Sequence, residues 1–321
     1  MQNLSEIPVN ATSEKIFSVI IKVCVVVLLF SIFLSCIVVM LYIFASNRQF
    51  LDSSRYILFA FMLINDTVQL LFSVLLFFLY MGQVKFALIY CFPLLFVSNA
   101  TFQNTPLILA TMSLERYVAI IYPLQCPPAW RSDRIWIIIL SLWFLSCFSI
   151  IIEYSIGQHN STVNIFLTPV VCRSAVVNSS PIQTLFKTVV NILCFAAVAV
   201  IILFTYVKIL LETRKLRQDR TSVSKAMNTV LLHGFQLLLC MLAFTIPITE
   251  SLILLYANQL LEHIPFLNFI FFILIPRFLS PLIYGFRDQS FRSYIGKIFL
   301  CCSNRGKPSI RSLMKNNFFA P

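Results

Sequence analysis

A chain of 321 residues that is 59% hydrophobic, only 11% charged and +0.89 in mean hydropathy cannot hide its apolar surface against itself. Lipid must be the solvent for most of it, which excludes a soluble enzyme or a soluble binding module. The net charge of +12 is not a nucleic-acid footprint, because the basic residues collect in the loops of one membrane face.

Residues 1–15 are polar, carry Glu6 and Glu14, and are expected to be an extracellular N-terminal segment without a cleavable signal peptide. The first apolar helix then serves as the insertion signal. Crossing a bilayer as helix takes about 20 apolar residues. Spans of that kind are predicted at 16–45, 56–81, 86–121, 135–156, 182–211, 226–256 and 264–286. Period-two alternation is absent, which argues against a barrel. The expected fold is an all-α membrane protein: a seven-helix transmembrane bundle over 16–286, then a short amphipathic helix and cytoplasmic tail over 287–321.

Orientation follows from Lys and Arg. With the N-terminus outside, the inner loops hold Arg48, Arg55, Arg131, Arg134, Arg214, Lys215, Arg217, Arg220 and Lys225, and the tail adds seven more. The outer segments hold only Lys15, Lys85 and Arg173, with Lys22 and Lys187 near helix ends. This asymmetry predicts a multi-pass plasma-membrane protein with an outer N-terminus and a cytoplasmic C-terminus. Asn-x-Ser/Thr sequons at Asn3, Asn10, Asn160 and Asn178 all fall in predicted outer segments, the last weakened by the nearby Pro181. Two further sequons, Asn65 and Asn99, lie inside helices.

Ten cysteines do not form a disulfide scaffold here. Cys24, Cys36, Cys147, Cys194 and Cys240 fall within helices as small packing residues, and Cys126 faces the reducing cytosol. Cys91 and Cys172 are the two in predicted outer positions, hence the natural pair. Cys301 and Cys302 follow the amphipathic stretch and fit either S-palmitoylation or a pair of free cytosolic thiols.

Several markers now stand in register: Asp66 in the second span, Cys91 opening the third, Glu115-Arg116-Tyr117 closing it, Trp143 in the fourth, and SPLIY (280–284) closing the seventh. Cys91 to Arg116 is 25 residues and Arg116 to Trp143 is 27. This set, covering nearly the whole chain, resembles class A (rhodopsin-like) G-protein-coupled receptors. Within them the chain resembles the odorant receptors, of teleost type. The family's MAYDRYVAICxPLxY stands here as MSLERYVAIIYPLQC (112–126), its KAxxTCxxH as KAMNTVLLH (225–233), and its PxLNPxIYxxR as PRFLSPLIYGFR (276–287). SSRYILFAFMLINDT (53–67) is similar to the family's second-helix start. The departures are Cys36 to Val38 in place of a Gly-Asn pair, Ser280 for Asn, Val230 for Cys, and one cysteine in the second outer loop where many relatives have three.

The resemblance implies a small-molecule odorant as ligand and a heterotrimeric G protein as partner, of the stimulatory, cAMP-raising kind. It assigns coupling and activation to Glu115, Arg116, Tyr117, Tyr206, Lys225, His233 and Tyr284. Arg116 is expected to be held by Glu115 at rest and to turn toward Tyr206 and Tyr284 when active. The bland alternative for His233 is a satisfied core histidine. The basic run 212–225 can bind anionic membrane lipid as well as the G protein. Pro247, Pro276 and Pro281 supply kinks.

Receptors of this shape bind ligands in the outer half of the bundle. The position 18 before Arg116, an aspartate in receptors for biogenic amines, is Ser98. Asn99, Phe102 and Gln103 continue the third span; Asn191 and Cys194 in the fifth and Thr245, Ile248 and Thr249 in the sixth complete the expected ligand-binding set. Such a site suits a small semi-polar organic molecule, although polar residues inside helices are also interhelical glue. Lys187 and Glu250 are expected to be exposed or paired with each other. Arg277 sits mid-helix, where a bare guanidinium is unfavourable. An Asp66–Arg277 ion pair is expected in place of the sodium ion that many of these receptors hold beside the aspartate, with Thr105 and Ser280 as further oxygens.

No catalytic set, Gly-rich phosphate loop, metal pattern or cofactor motif occurs, so the chain is read as a non-enzyme without cofactor. The rival readings are a class A receptor for another small ligand, such as a lipid mediator or peptide, and, more remotely, a transporter or channel. The latter lacks support because no inverted repeat and no Gly-interrupted helix pair occurs.

Overall fold

The computed structural model describes residues 9–122, 127–159, 169–172, 180–215, scattered positions between 227 and 239, 263–279, and residues 281 and 294. The expected amphipathic helix after the seventh span, and most of the sixth, lie outside them.

The first helix runs Val9–Ser46, starting seven residues before the predicted apolar span. At 1.5 Å per residue its 38 residues reach about 57 Å, well past a hydrocarbon core of about 30 Å. Its early turns therefore extend beyond the lipid; nothing in Asn10–Lys15 forbids helix. Asn47 ends it in an extended conformation while its Nδ2 donates to the carbonyl of Ile43 at 2.8 Å. After a single turn at Arg48–Leu51, the second helix runs Ser54–Met81.

The third helix, Leu88–Ile121, is the hub. It packs against the second, the fourth (Ile135–His159) and the fifth (Pro181–Lys215). From Ala100 to Ser113 every residue except Phe102 and Leu107 is buried, so a polar-rich helix is surrounded by protein and not by lipid. The fourth and fifth helices are the opposite case. Trp136, Ile137, Leu140, Phe144 and Phe148 on one, and Ile182, Leu185, Ile192 and Leu193 on the other, are more than half exposed, as lipid-facing side chains must be. Ser180 caps the fifth helix by accepting the amide of Gln183 at 3.1 Å, and Pro181 occupies its first turn, where a missing N–H costs nothing.

Among the described residues, four helices are long and apolar enough to cross a membrane: Ile16–Ser46, Ser54–Met81, Ile135–Gly157 and Pro181–Leu211. A shorter apolar helix, Ile264–Leu279, belongs to the seventh predicted span. It widens to a π-helix over Phe269–Leu274, just ahead of Pro276, whose ring and absent N–H spoil α-helical bonding to the preceding turn. The core links Phe33 and Ile37 with Leu58, Met62, Ile108, Leu109, Val198, Ile202, Phe269 and Leu274.

The purely helical expectation needs one correction. Two three-residue strands, β1 (Lys85–Ala87) and β2 (Pro169–Val171), pair antiparallel with Lys85 opposite Val171 and Ala87 opposite Pro169. They are too short to leave a sequence pattern. The ribbon lies beside the Cys91–Cys172 disulfide, whose Cα atoms are 5.7 Å apart.

Candidate functional site

One end of the third helix carries the triplet. Glu115 is buried, and its Oε2 lies 3.9 Å from Nε of Arg116, an ion-pair distance but too long for a hydrogen bond. Ser54 and Arg55, at the start of the second helix, bring a hydroxyl and a second positive charge toward the same carboxylate. The Tyr117 ring lies 5.8 Å from Phe204 of the fifth helix, and Tyr206 packs against the core nearby. Lys225, His233 and Tyr284 lie outside the described residues.

Toward the disulfide end, the polar residues of the third helix turn to different neighbours. Ser98 meets Ser73 of the second helix at 3.4 Å. Asn99 donates to the Tyr154 hydroxyl of the fourth at 3.1 Å. Gln103 donates to Oδ1 of Asn191 in the fifth at 3.3 Å and accepts from Ser149 of the fourth. So Gln103, Asn191, Asn99 and Ser98 are engaged between helices, the arrangement of interhelical glue. Phe102 turns the other way, toward the seventh helix. Cys194 is half-buried. Thr245, Ile248, Thr249 and Pro247 lie outside the described residues, as do the sequons at Asn3 and Asn160; Asn10 falls within the first helix.

Between the two ends, Asn65 donates to the Thr101 carbonyl at 3.0 Å and to Thr105 Oγ1 at 3.1 Å, and accepts from Asn104 at 3.1 Å. Thr105 also lies 3.3 Å from Oδ1 of Asp66. The expected Asp66–Arg277 pair is not what the guanidinium forms. Arg277 is 1% exposed, and its Nε and Nη2 donate to Oε1 of Gln69 at 3.0 and 2.7 Å. Gln69 is three residues beyond Asp66, nearly one turn and about 4.5 Å along the helix, which matches the depth of Arg277. The planar guanidinium also lies 5.2 Å from the centroid of the Phe102 ring.

A second correction concerns Lys187. Its Nζ lies 3.1 Å from Oε1 of Glu153 in the fourth helix, not against Glu250, which is outside the described residues. Glu153 escaped the sequence reading. The signal was available, since an acid inside the apolar run IIIEYS is unfavourable unless partnered.

Residues 35–284 match the seven-transmembrane receptor (rhodopsin family). The chain belongs to that family. It is therefore a receptor and not an enzyme. It is 29% identical to odorant receptor 131-2 of Danio rerio over 263 residues, 82% of this chain and 81% of that protein. It is 24% identical to the tachykinin-like peptides receptor 86C of Drosophila melanogaster over 238 residues, 68% of this chain and 46% of that receptor. The family places the receptor in a membrane, which is what its lipid-facing fourth and fifth helices require.

Proposed function

We propose that this receptor binds a small odorant in the half of the bundle nearer the disulfide and activates a stimulatory, cAMP-raising G protein at the Glu115-Arg116-Tyr117 end. The near end-to-end similarity to odorant receptor 131-2 carries the reading. The composition of the proposed ligand wall supports it: Phe102 and Ile248 with Thr245 and Thr249 suit a semi-polar organic molecule. The Lys/Arg asymmetry supports an outer N-terminus and disulfide and an inner triplet, with Asn3, Asn10 and Asn160 proposed as glycan acceptors.

The mechanism is a population shift. A ligand that binds one packing of the third, fifth, sixth and seventh helices better than another favours that packing, and the inner end opens to the G protein. Glu115 restrains Arg116 in the resting state. Lys225, His233 and Tyr284 are proposed to complete the inner switch, and Thr245, Ile248 and Thr249 the ligand wall.

Expression in cells carrying a cAMP reporter, challenged with water-soluble odorants, tests the reading. Odorant-evoked cAMP in the parent and silence in Arg116→Ala supports it. A peptide receptor is the second reading, favoured by the similarity to the Drosophila receptor. Responses to tachykinin-like peptides alone would replace the first reading with the second.

A further inference from the structure

Arg277 is the largest fully buried side chain described, and its bonding is lopsided. A guanidinium offers five N–H donors in one plane. Here the edge formed by Nε and Nη2 is spent on a single neutral oxygen, Oε1 of Gln69. Nη1 is buried and has no hydrogen-bond partner. Three N–H groups remain, two on Nη1 and one on Nη2, and one from each lies side by side along the adjacent Nη1–Nη2 edge. That is the fork that matches two carboxylate oxygens.

Charge points the same way. Among the described residues no ion pair involves Arg277. Gln69 orients the guanidinium without neutralising it, although a glutamate at that position would do both. A buried guanidinium nitrogen with no hydrogen-bond partner is an unfavourable arrangement that an accepting group on a ligand relieves. The Phe102 ring, 5.2 Å from the guanidinium carbon and only partly buried, is the apolar surface next to the group.

We propose that the free edge of Arg277 anchors the carboxylate of an organic acid, with the acid's apolar chain lying along Phe102. The receptor is then tuned to small carboxylates and not to amines or neutral alcohols. This rests on the reading that a small organic molecule binds inside the bundle.

The test uses the full-length receptor purified into nanodiscs, with thermal unfolding followed in the presence of a carboxylate panel from acetate to decanoate plus benzoate. Matched amides, alcohols and equimolar sodium chloride are the controls. At least one carboxylate should raise the unfolding midpoint by several degrees, with its amide, its alcohol and chloride raising it by less than a third as much. The rise should vanish in Arg277→Gln and in Gln69→Glu. The second variant supplies an internal carboxylate, so it folds even where the first does not. No rise with any carboxylate, an equal rise with chloride, an equal rise with the neutral analogues, or a rise retained in Gln69→Glu overturns the anchor. If alcohols or amides evoke cAMP while carboxylates do nothing, the anchor fails and the odorant-receptor reading stands. If no compound of either class binds or signals, both fail.

Discussion

The ammonium of Lys187 in the fifth helix lies 3.1 Å from the carboxylate of Glu153 in the fourth, and the two side chains are 26% and 4% exposed. The pair ties together two helices whose other faces are lipid-exposed. Because only Glu153 is deeply buried, its cost on losing the partner lies between the surface and buried limits, about 1–3 kcal/mol. Lys187→Met and Glu153→Gln should each lower the unfolding midpoint of the purified receptor. The double variant should recover most of the loss, because it leaves no uncompensated charge. Losses that simply add would show that the two groups do not interact.

The Cys91–Cys172 bridge closes a loop of 81 residues and sits beside the β1–β2 ribbon. Chain-entropy reasoning puts its stabilisation at about 4.5 kcal/mol. Serine at either position should sharply reduce surface delivery, and the double serine variant should be no worse than either single one. Peptide mapping under non-reducing conditions should recover the two cysteines in one linked fragment. Two free thiols in the delivered receptor would contradict the bridge.

The markers legible in the sequence were those fixed by composition or register. Lipid as solvent follows from hydropathy, and the Cys91–Cys172 pairing from their outer positions. Glu115 beside Arg116 follows from adjacency. What escaped depends on how helices rotate against each other. Asp66 was the obvious partner for Arg277 by charge, yet a shift of nearly one turn presents Gln69 instead. Lys187 and Glu250, both near helix ends, fit exposure or pairing with each other, while the packing of the fourth and fifth helices brings Glu153 to Lys187. The start of the first helix at Val9 escaped because Asn10–Lys15 is polar, and polarity sets where lipid ends and not where helix ends.

Gln103 joins three helices, donating to Asn191 and accepting from Ser149. Interhelical hydrogen bonds in membranes contribute about 0.6 kcal/mol on average and up to about 1.7. Gln103→Ala removes both and leaves the buried Asn191 amide unpaired, while Ser149 keeps its bond to the Ser146 carbonyl, so a loss of about 1–2 kcal/mol is expected. Asn191→Ala should cost less, and the double variant little more than Gln103→Ala. Unfolding of the unliganded receptor reads this directly. A Gln103→Ala receptor with parental stability but lost odorant response would make Gln103 a ligand contact and not a strut.

Arg116 and Glu115 meet at 3.9 Å with side chains 13% and 10% exposed, an ion pair close enough to restrain and loose enough to break. Neutralising the acid removes an interaction proposed to favour the resting packing. Each 1.4 kcal/mol or so lost from that state raises the active-to-resting ratio about tenfold. Glu115→Gln should therefore raise basal cAMP several-fold at equal surface density, and ligand should add less on top. Arg116→Ala should reach the surface and stay silent, because the cation itself is proposed to engage the G protein. The double variant orders the two effects: it should be as silent as Arg116→Ala, since releasing an absent arginine does nothing. Normal signalling from a correctly inserted Arg116→Ala receptor would remove Arg116 from the coupling surface, and high basal activity in the double variant would mean that Glu115 acts through Arg55 or Ser54 instead.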